Sequence, residues 1–179
     1  LDEIIKMKGK YKRIVIIIGV IITCFSFALF LLARKDTPEH ITYGISYNVP
    51  YILELGLDRK DVLDAFFNEL GVRDVRMSAH WTLIEPSQNR FDFEWMDTDI
   101  KKAEDAGAHV IFGVGRRLPR WPECHVPTWA KDLSWEEQKV EIREYITAVI
   151  NRYKNSSAIT HWQVENESYL TLFAQEHCG

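Results

Sequence analysis

The apolar positions of this chain follow two patterns in succession. Between residues 14 and 33 lie twenty uncharged residues, IVIIIGVIITCFSFALFLLA. At about 1.5 Å per residue, a helix of that length spans the roughly 30 Å hydrocarbon core of a bilayer. After the polar stretch RKDTPEH, the apolar residues come in short strand-like runs, at 41–47 (ITYGISY), 72–78 (VRDVRMS), 109–114 (HVIFGV) and 159–164 (ITHWQV).

Helical patterns fill the gaps between these runs. Asp58 is a suitable N-cap for a helix carrying Val62, Leu63, Phe66, Phe67 and Leu70, and Gly71 stops it. A second helix is expected over residues 95–106, ending at Gly107. In the third, Ser134 and Glu137 form a capping box ahead of Ile142, Tyr145, Ile146, Val149, Ile150 and Tyr153, which share one helical face. Strands that alternate with helices in this way predict parallel βαβ units and an α/β fold, because parallel neighbours need a crossover. A dinucleotide-binding open sheet would place GxGxxG after its first strand, and YGISYNVPYILELGLD has none. A (β/α)8 barrel is therefore expected. The loops following the strands are long (AHWTLIEPSQNRFDFEW and GRRLPRWPECHVPTWAKDL), whereas those preceding them are minimal. That asymmetry suits a site at the carboxyl ends of the strands.

Charge refines the picture. Residues 1–13 hold five Lys and Arg against two acidic residues, Arg34 and Lys35 follow the apolar run, and from Asp36 onward 24 acidic residues outnumber 15 basic ones. The acidic body argues against a nucleic-acid partner. A cleaved signal peptide has a shorter apolar region and a small-residue cleavage site, so an uncleaved anchor is expected. The basic flank places the N-terminus in the cytoplasm and the body outside, as a single-pass protein of the cell membrane with the bilayer as a partner through residues 14–33. The expected organisation is a basic tail at 1–13, an anchor at 14–33, a linker at 34–42 and a barrel domain at 43–179. A full barrel takes about 250 residues. The 144 residues from Asp36 onward suit about four βα units, the N-terminal half of a barrel.

One strand ends unusually. HWQVENES, residues 161–168, runs from an alternating strand into Asn166 and Glu167 with no turn residue before them, so that a Glu there can face the open mouth of a barrel while Trp162 and Val164 are expected to stay packed below. WQVENE resembles the fourth-strand signature of retaining glycoside hydrolases of clan A, which are (β/α)8 barrels. VRDVRMSAHWTLIEPSQNRFDFEWMD is similar to the segment of those enzymes where an Arg ends strand 2, a Trp and a Glu-Pro turn follow, and an aromatic-Asp motif leads into the next helix. The resemblance covers roughly residues 43–168 and is greatest to the branches holding β-galactosidases, xylosidases and cellulase-like enzymes. It implies hydrolysis of O-glycosyl bonds in an oligosaccharide or polysaccharide, without cofactor or metal. It gives Glu167 the general acid/base role, Asn166 the hydrogen bond to the sugar 2-hydroxyl, and Arg76 the steadying of the nucleophile. Glu165, the rival carboxylate, lacks a preceding Asn. His80, Trp81 and Trp121 are candidates for sugar contact, since flat aromatic faces suit pyranose C–H faces, while Trp129 reads as core. The second carboxyl group that a retaining enzyme needs lies on strand 7 in the family, so residues 1–179 alone are expected to be inactive.

Other classes make different demands. A tethered carbohydrate-binding protein would keep the aromatic residues without needing the acid. A metal-dependent hydrolase could recruit His80, His125, His161 or Cys124, but no pair of them has ligand spacing on one element. Cys124 and Cys178 could pair or remain as two thiols.

Overall fold

The structure, a computed structural model, describes residues 2–33, 41–120 and 123–168. The chain divides into two units, Leu1–Ile41 and Thr42–Gly179. The first holds one helix, α1 (Asp2–Ala33). Its segment Tyr11–Leu31 has a mean hydropathy of 3.0 and is long and apolar enough to cross a membrane, and none of it is buried.

The second unit is built on a parallel sheet of β1 (Gly44–Ser46), β2 (Asp74–Ser78), β3 (His109–Val114) and β4 (Ile159–Val164), paired in that order. The register places Met77, Phe112 and Trp162 side by side, and Arg76, Ile111 and His161 side by side one position earlier. Because successive side chains point to opposite faces, Val75, Met77, Val110, Phe112 and Val114 form one buried apolar face. The helices pack against it. The opposite face carries a cavity of about 410 Å³ whose lining includes Ser46, Asp74, Arg76, His109, Ile111 and His161.

Each helix forms where the sequence stops an alternating run. Asp58 accepts from the backbone N–H groups of Lys60 and Asp61, opening α3 (Arg59–Asp64). Ser134 and Glu137 cap each other across the first turn of α6 (Trp135–Tyr153), which buries Ile142, Tyr145, Val149 and Tyr153. Between them, α5 (Glu94–Asp105) buries Met96, Ile100 and Ala103. Two short helices were not expected: α2 (Val49–Glu54), whose N-cap Asn48 accepts from Tyr51 N, and α4 (Trp81–Ile84). The signal for α2 was the Asn48-Val49-Pro50 run, an N-cap followed by a proline in the first turn.

Two packing expectations are corrected. Leu70 is 67% exposed rather than part of the α3 stripe. The reason is the π turn Ala65–Glu69 that continues α3, closed by Leu70 N to Ala65 O, which carries Leu70 off the face that buries Leu63 and Phe67. Trp162 and Val164, expected to be packed below the mouth of the barrel, are 36% and 60% exposed. Both lie on the helix-bearing face of β4, the last strand in the order, where Phe112 covers only the Trp162 ring, at 5.4 Å between centroids.

Candidate active site

At the upper end of β4 the chain leaves the extended region abruptly. Glu165 and Glu167 have φ of 61° and 50°, in the left-handed region that non-glycine residues enter at a cost of about 1 kcal/mol or more each. Hydrogen bonds hold Glu165 there. Its N–H donates to Val114 O at 2.9 Å, and its carboxylate accepts the N–H of Arg116 at 2.9 Å and of Arg117 at 2.5 Å. Two successive amides cradling an anion form a concavity of the kind found at phosphate sites, here filled by the protein's own carboxylate.

Gly115 makes that approach possible, with a φ of 133° and a position where an added Cβ would lie 2.6 Å from Glu165 Cδ. Gly115→Ala is therefore expected to destabilise the second unit by about 1–3 kcal/mol. Chemical denaturation would show it, and an unchanged midpoint would mean that the Glu165 cradle is not formed. With both oxygens engaged by backbone amides, Glu165 is a tie between β3 and β4. Of the two candidate carboxylates, it is the occupied one.

Asn166 is fixed from three directions. Its N–H donates to Arg117 O at 2.8 Å, and its Oδ1 accepts from Arg76 Nη2 at 2.8 Å. Its Nδ2 donates to Glu123 Oε1 at 2.9 Å. Arg76 also donates from Nε to Gln163 Oε1 at 3.0 Å, and Gln163 Nε2 donates to the Glu165 carbonyl at 2.9 Å. Arg76 thus reaches across β3 to the end of β4, as the shared face of positions 76, 111, 161 and 163 allows. Glu167 follows at the rim. Its carbonyl accepts from Arg117 Nη1 at 3.0 Å, and its exposed carboxylate has no hydrogen-bond or ion-pair partner among the described residues.

The aromatic candidates fall elsewhere. Trp81 is 0% exposed, stacked on Tyr145, edge-on to Trp129, and bonded through Nε1 to Glu85 Oε2 at 2.8 Å. Its ring faces are used by protein, so it leaves the sugar-contact set. The helix α4 that begins at Trp81 turns the indole inward. His80 is also fully buried, against His125 at 4.3 Å between ring centroids, with Asn48 Nδ2 3.5 Å from its Nε2. Trp121 lies outside the described residues, as does Cys178. Trp129 donates to Glu85 O at 2.9 Å and packs against the core, as expected of it.

Burial sets the charge states around this centre. It holds both His80 and His125 below the ordinary imidazole range, the latter at about 4, and for His80 the neighbouring His125 adds to the effect. Burial also raises Glu85, against the hydrogen bonds from Trp81 and Asn89. A histidine depressed in the folded state contributes stability above its unfolded pKa of about 6.5 that is lost as pH falls toward the folded value. Between pH 7 and 5 His125 accounts for a loss of about 2 kcal/mol. Asp99 acts in the opposite sense, because burial pushes it up to about 6 despite Arg59 and Tyr47. The discriminating experiment compares the protein with His125→Gln: the variant should lose less of its unfolding midpoint between pH 7 and 5, and parallel curves would refute the assignment.

Glu123, a partner of Asn166 in this network, carries no sequence signal. Glu123 and Arg117 sit in the loop after β3, where Arg117 Nη2 meets Glu123 Oε2 at 3.2 Å. Of the histidines considered for a metal, only His80 and His125 come together; among the described residues no group of three or more His, Cys, Asp or Glu could hold an ion.

Known proteins bear on this arrangement. The beta-galactosidase BgaA of Clostridium cellulovorans is 24% identical over 135 residues, covering 62% of this chain and 19% of that protein. BgaB of Geobacillus kaustophilus, also a beta-galactosidase, is 30% identical over 107 residues, covering 49% of this chain and 16% of its own length. The chain thus spans about a fifth or less of these relatives. Among solved structures, the beta-galactosidase of the Antarctic haloarchaeon Halorubrum lacusprofundi matches with a TM-score of 0.51 and 20% identity, over 72% of this chain and 21% of that one. A glycosylated endo-beta-1,4-xylanase of family 10 from Gloeophyllum trabeum matches with a TM-score of 0.51 and 22% identity, over 72% of this chain and 39% of that one. At such identities these structures speak for the fold, an α/β unit resembling part of a barrel glycoside hydrolase. The model of glycosyl hydrolase family 10 matches residues 39–172, three quarters of the sequence, and the chain belongs to that family.

Proposed function

We propose that this chain forms the N-terminal half of the barrel of a membrane-anchored, extracytoplasmic glycosidase that cleaves O-glycosyl bonds with retention of configuration. Residues 14–33 are the anchor, residues 1–13 its cytoplasmic flank, residues 34–42 the linker, and residues 43–179 the partial catalytic domain. The observation that carries this reading is the Arg76–Asn166 hydrogen bond of 2.8 Å. It ties the middle of β2 to the residues just past the end of β4 and stands beside a Glu167 carboxylate that has no partner among the described residues, in a chain of a glycoside hydrolase family.

In the first step the Glu167 carboxyl group gives its proton to the glycosidic oxygen as the C1–O bond breaks, while a second carboxylate bonds to C1. In the next step the Glu167 carboxylate takes a proton from water, whose oxygen attacks C1 and releases the ester. Asn166 donates to the sugar 2-hydroxyl, and Arg76 steadies the second carboxylate. That second group, which must lie about 5–5.5 Å from the first across the scissile bond, would come from outside residues 1–179, since the resemblance puts it on strand 7. Acid/base work also calls for burial of Glu167 or a neighbouring carboxylate, and the same missing partner would supply it.

The test compares the purified 179-residue chain with the enzyme that carries it together with the rest of its barrel. Aryl β-galactosides and β-xylosides should be hydrolysed by the longer protein and not by the shorter. Turnover by the 179-residue chain would overturn the division of the two carboxyl groups, and failure of the longer protein on every aryl glycoside would overturn the activity itself.

A further inference from the structure

Glu123 takes no part in the chemistry above, yet it is bonded to the centre of the site. It lies on the loop between β3 and α6 at φ 64°, with 18% of its side chain exposed. One carboxylate oxygen accepts from Asn166 Nδ2 at 2.9 Å, the other from Arg117 Nη2 at 3.2 Å. Arg117 in turn donates from Nη1 to the Glu167 carbonyl at 3.0 Å.

A carboxamide has two orientations, related by a half-turn that exchanges oxygen and nitrogen. At Asn166 the two ends meet partners of opposite character. Arg76 Nη2 at 2.8 Å and Gln163 Nε2 at 3.4 Å point donors at Oδ1, and Glu123 points an acceptor at Nδ2. The flipped amide would set N–H groups against a guanidinium and an oxygen against a carboxylate, both repulsive. Arg76 and Gln163 determine the oxygen end. Glu123 determines the other, and the second N–H of Asn166 Nδ2 has no partner among the described residues.

We propose that Glu123 is a positioning residue for the Asn166–Glu167 pair: it locks the donor side of the Asn166 amide and carries Arg117 to the Glu167 carbonyl. The functional meaning of this lock rests on the glycosidase reading, but the lock can be measured without any turnover. A merely structural role for Glu123 would hold the loop in place without acting on Asn166 in particular. Asn48 supplies the control, because its Nδ2 donates to Pro119 O at 2.8 Å, on the same loop.

The experiment reads side-chain amide hydrogen exchange by NMR on the 179-residue chain in detergent micelles, labelled with 15N at asparagine and assigned with Asn166→Asp. Glu123→Ala should speed exchange at Asn166 by about tenfold, the protection one hydrogen bond of ordinary strength gives, and leave Asn48 unchanged. Glu123→Gln keeps an oxygen facing Asn166 and should restore slow exchange. Three results would overturn the proposal: an unchanged rate at Asn166 in Glu123→Ala, equal acceleration at Asn48 and Asn166, or a Glu123→Gln rate as fast as that of Glu123→Ala. None of these depends on whether the larger enzyme hydrolyses glycosides, so a failed lock and a failed glycosidase assignment are told apart.

Discussion

In the full-barrel enzyme proposed above, Glu167→Gln should lower kcat for aryl glycosides by about 10²- to 10⁴-fold, the range that a positioned general acid/base contributes. The variant keeps the shape and the acceptor oxygen of the side chain but has no proton to give. Binding should change little. Asn166 is held by Arg76, Glu123 and the Arg117 carbonyl, and none of these bonds involves the Glu167 carboxylate. The companion variant Glu165→Gln separates the two neighbouring carboxylates. Glu165 sits on the amides of Arg116 and Arg117, so its loss should appear as lowered stability before it appears in kcat. If Glu165→Gln abolished turnover in a fully folded protein while Glu167→Gln retained it, the assignment would be reversed.

The second large effect is on folding. Trp81→Ala should destabilise the second unit by about 3–5 kcal/mol, the usual cost of emptying a fully buried aromatic site. The indole fills the space between Tyr145 and Trp129 and gives its N–H to the buried Glu85 carboxylate. Removing it leaves Glu85 with the Asn89 N–H alone for that carboxylate. Trp81→Phe restores most of the volume without the N–H, and should recover all but about 1–3 kcal/mol. A sugar-contacting Trp81 would behave in the opposite way: the alanine variant would raise KM while its denaturation midpoint stayed put.

These two residues show what the sequence could and could not reveal. The strand and helix order was legible because each element carries its own period and punctuation: Asp58, Gly71, Gly107 and the Ser134–Glu137 box mark the ends, and β3 and β4 occupy the runs expected of them. The end of β4 was legible as an anomaly for the same reason, a carboxylate where a turn residue belongs. Orientation was not legible. Trp81 follows a strand in a long polar loop, which reads as an exposed position, and only the short helix α4 shows that it points into the core. Leu70 was misplaced because a π turn has no periodic signature of its own, and Trp162 because alternation assigns a face but not what covers it. The partners of Asn166 were hidden for a different cause. Glu123 and Arg117 lie some 40 to 50 positions away in sequence, in a loop whose path depends on Gly115 and on the Glu165 cradle, and such long-range pairing leaves no local pattern.

The proposed anchor has its own test. Its length and apolar character suit a crossing, and the basic residues before it suit a cytoplasmic N-terminus. Alkaline carbonate extraction should leave the chain in the membrane fraction, and release into the supernatant would contradict an anchor.

The assignment of Glu167 is tested most directly by azide rescue. Glu167→Ala in the full enzyme, given an aryl glycoside whose leaving group needs no proton, should form the glycosyl-enzyme and then stall, because no base activates water. Added azide should restore turnover and yield a glycosyl azide of the same anomeric configuration as the substrate. An azide of inverted configuration would make Glu167 the nucleophile, and no rescue at all would remove it from the reaction.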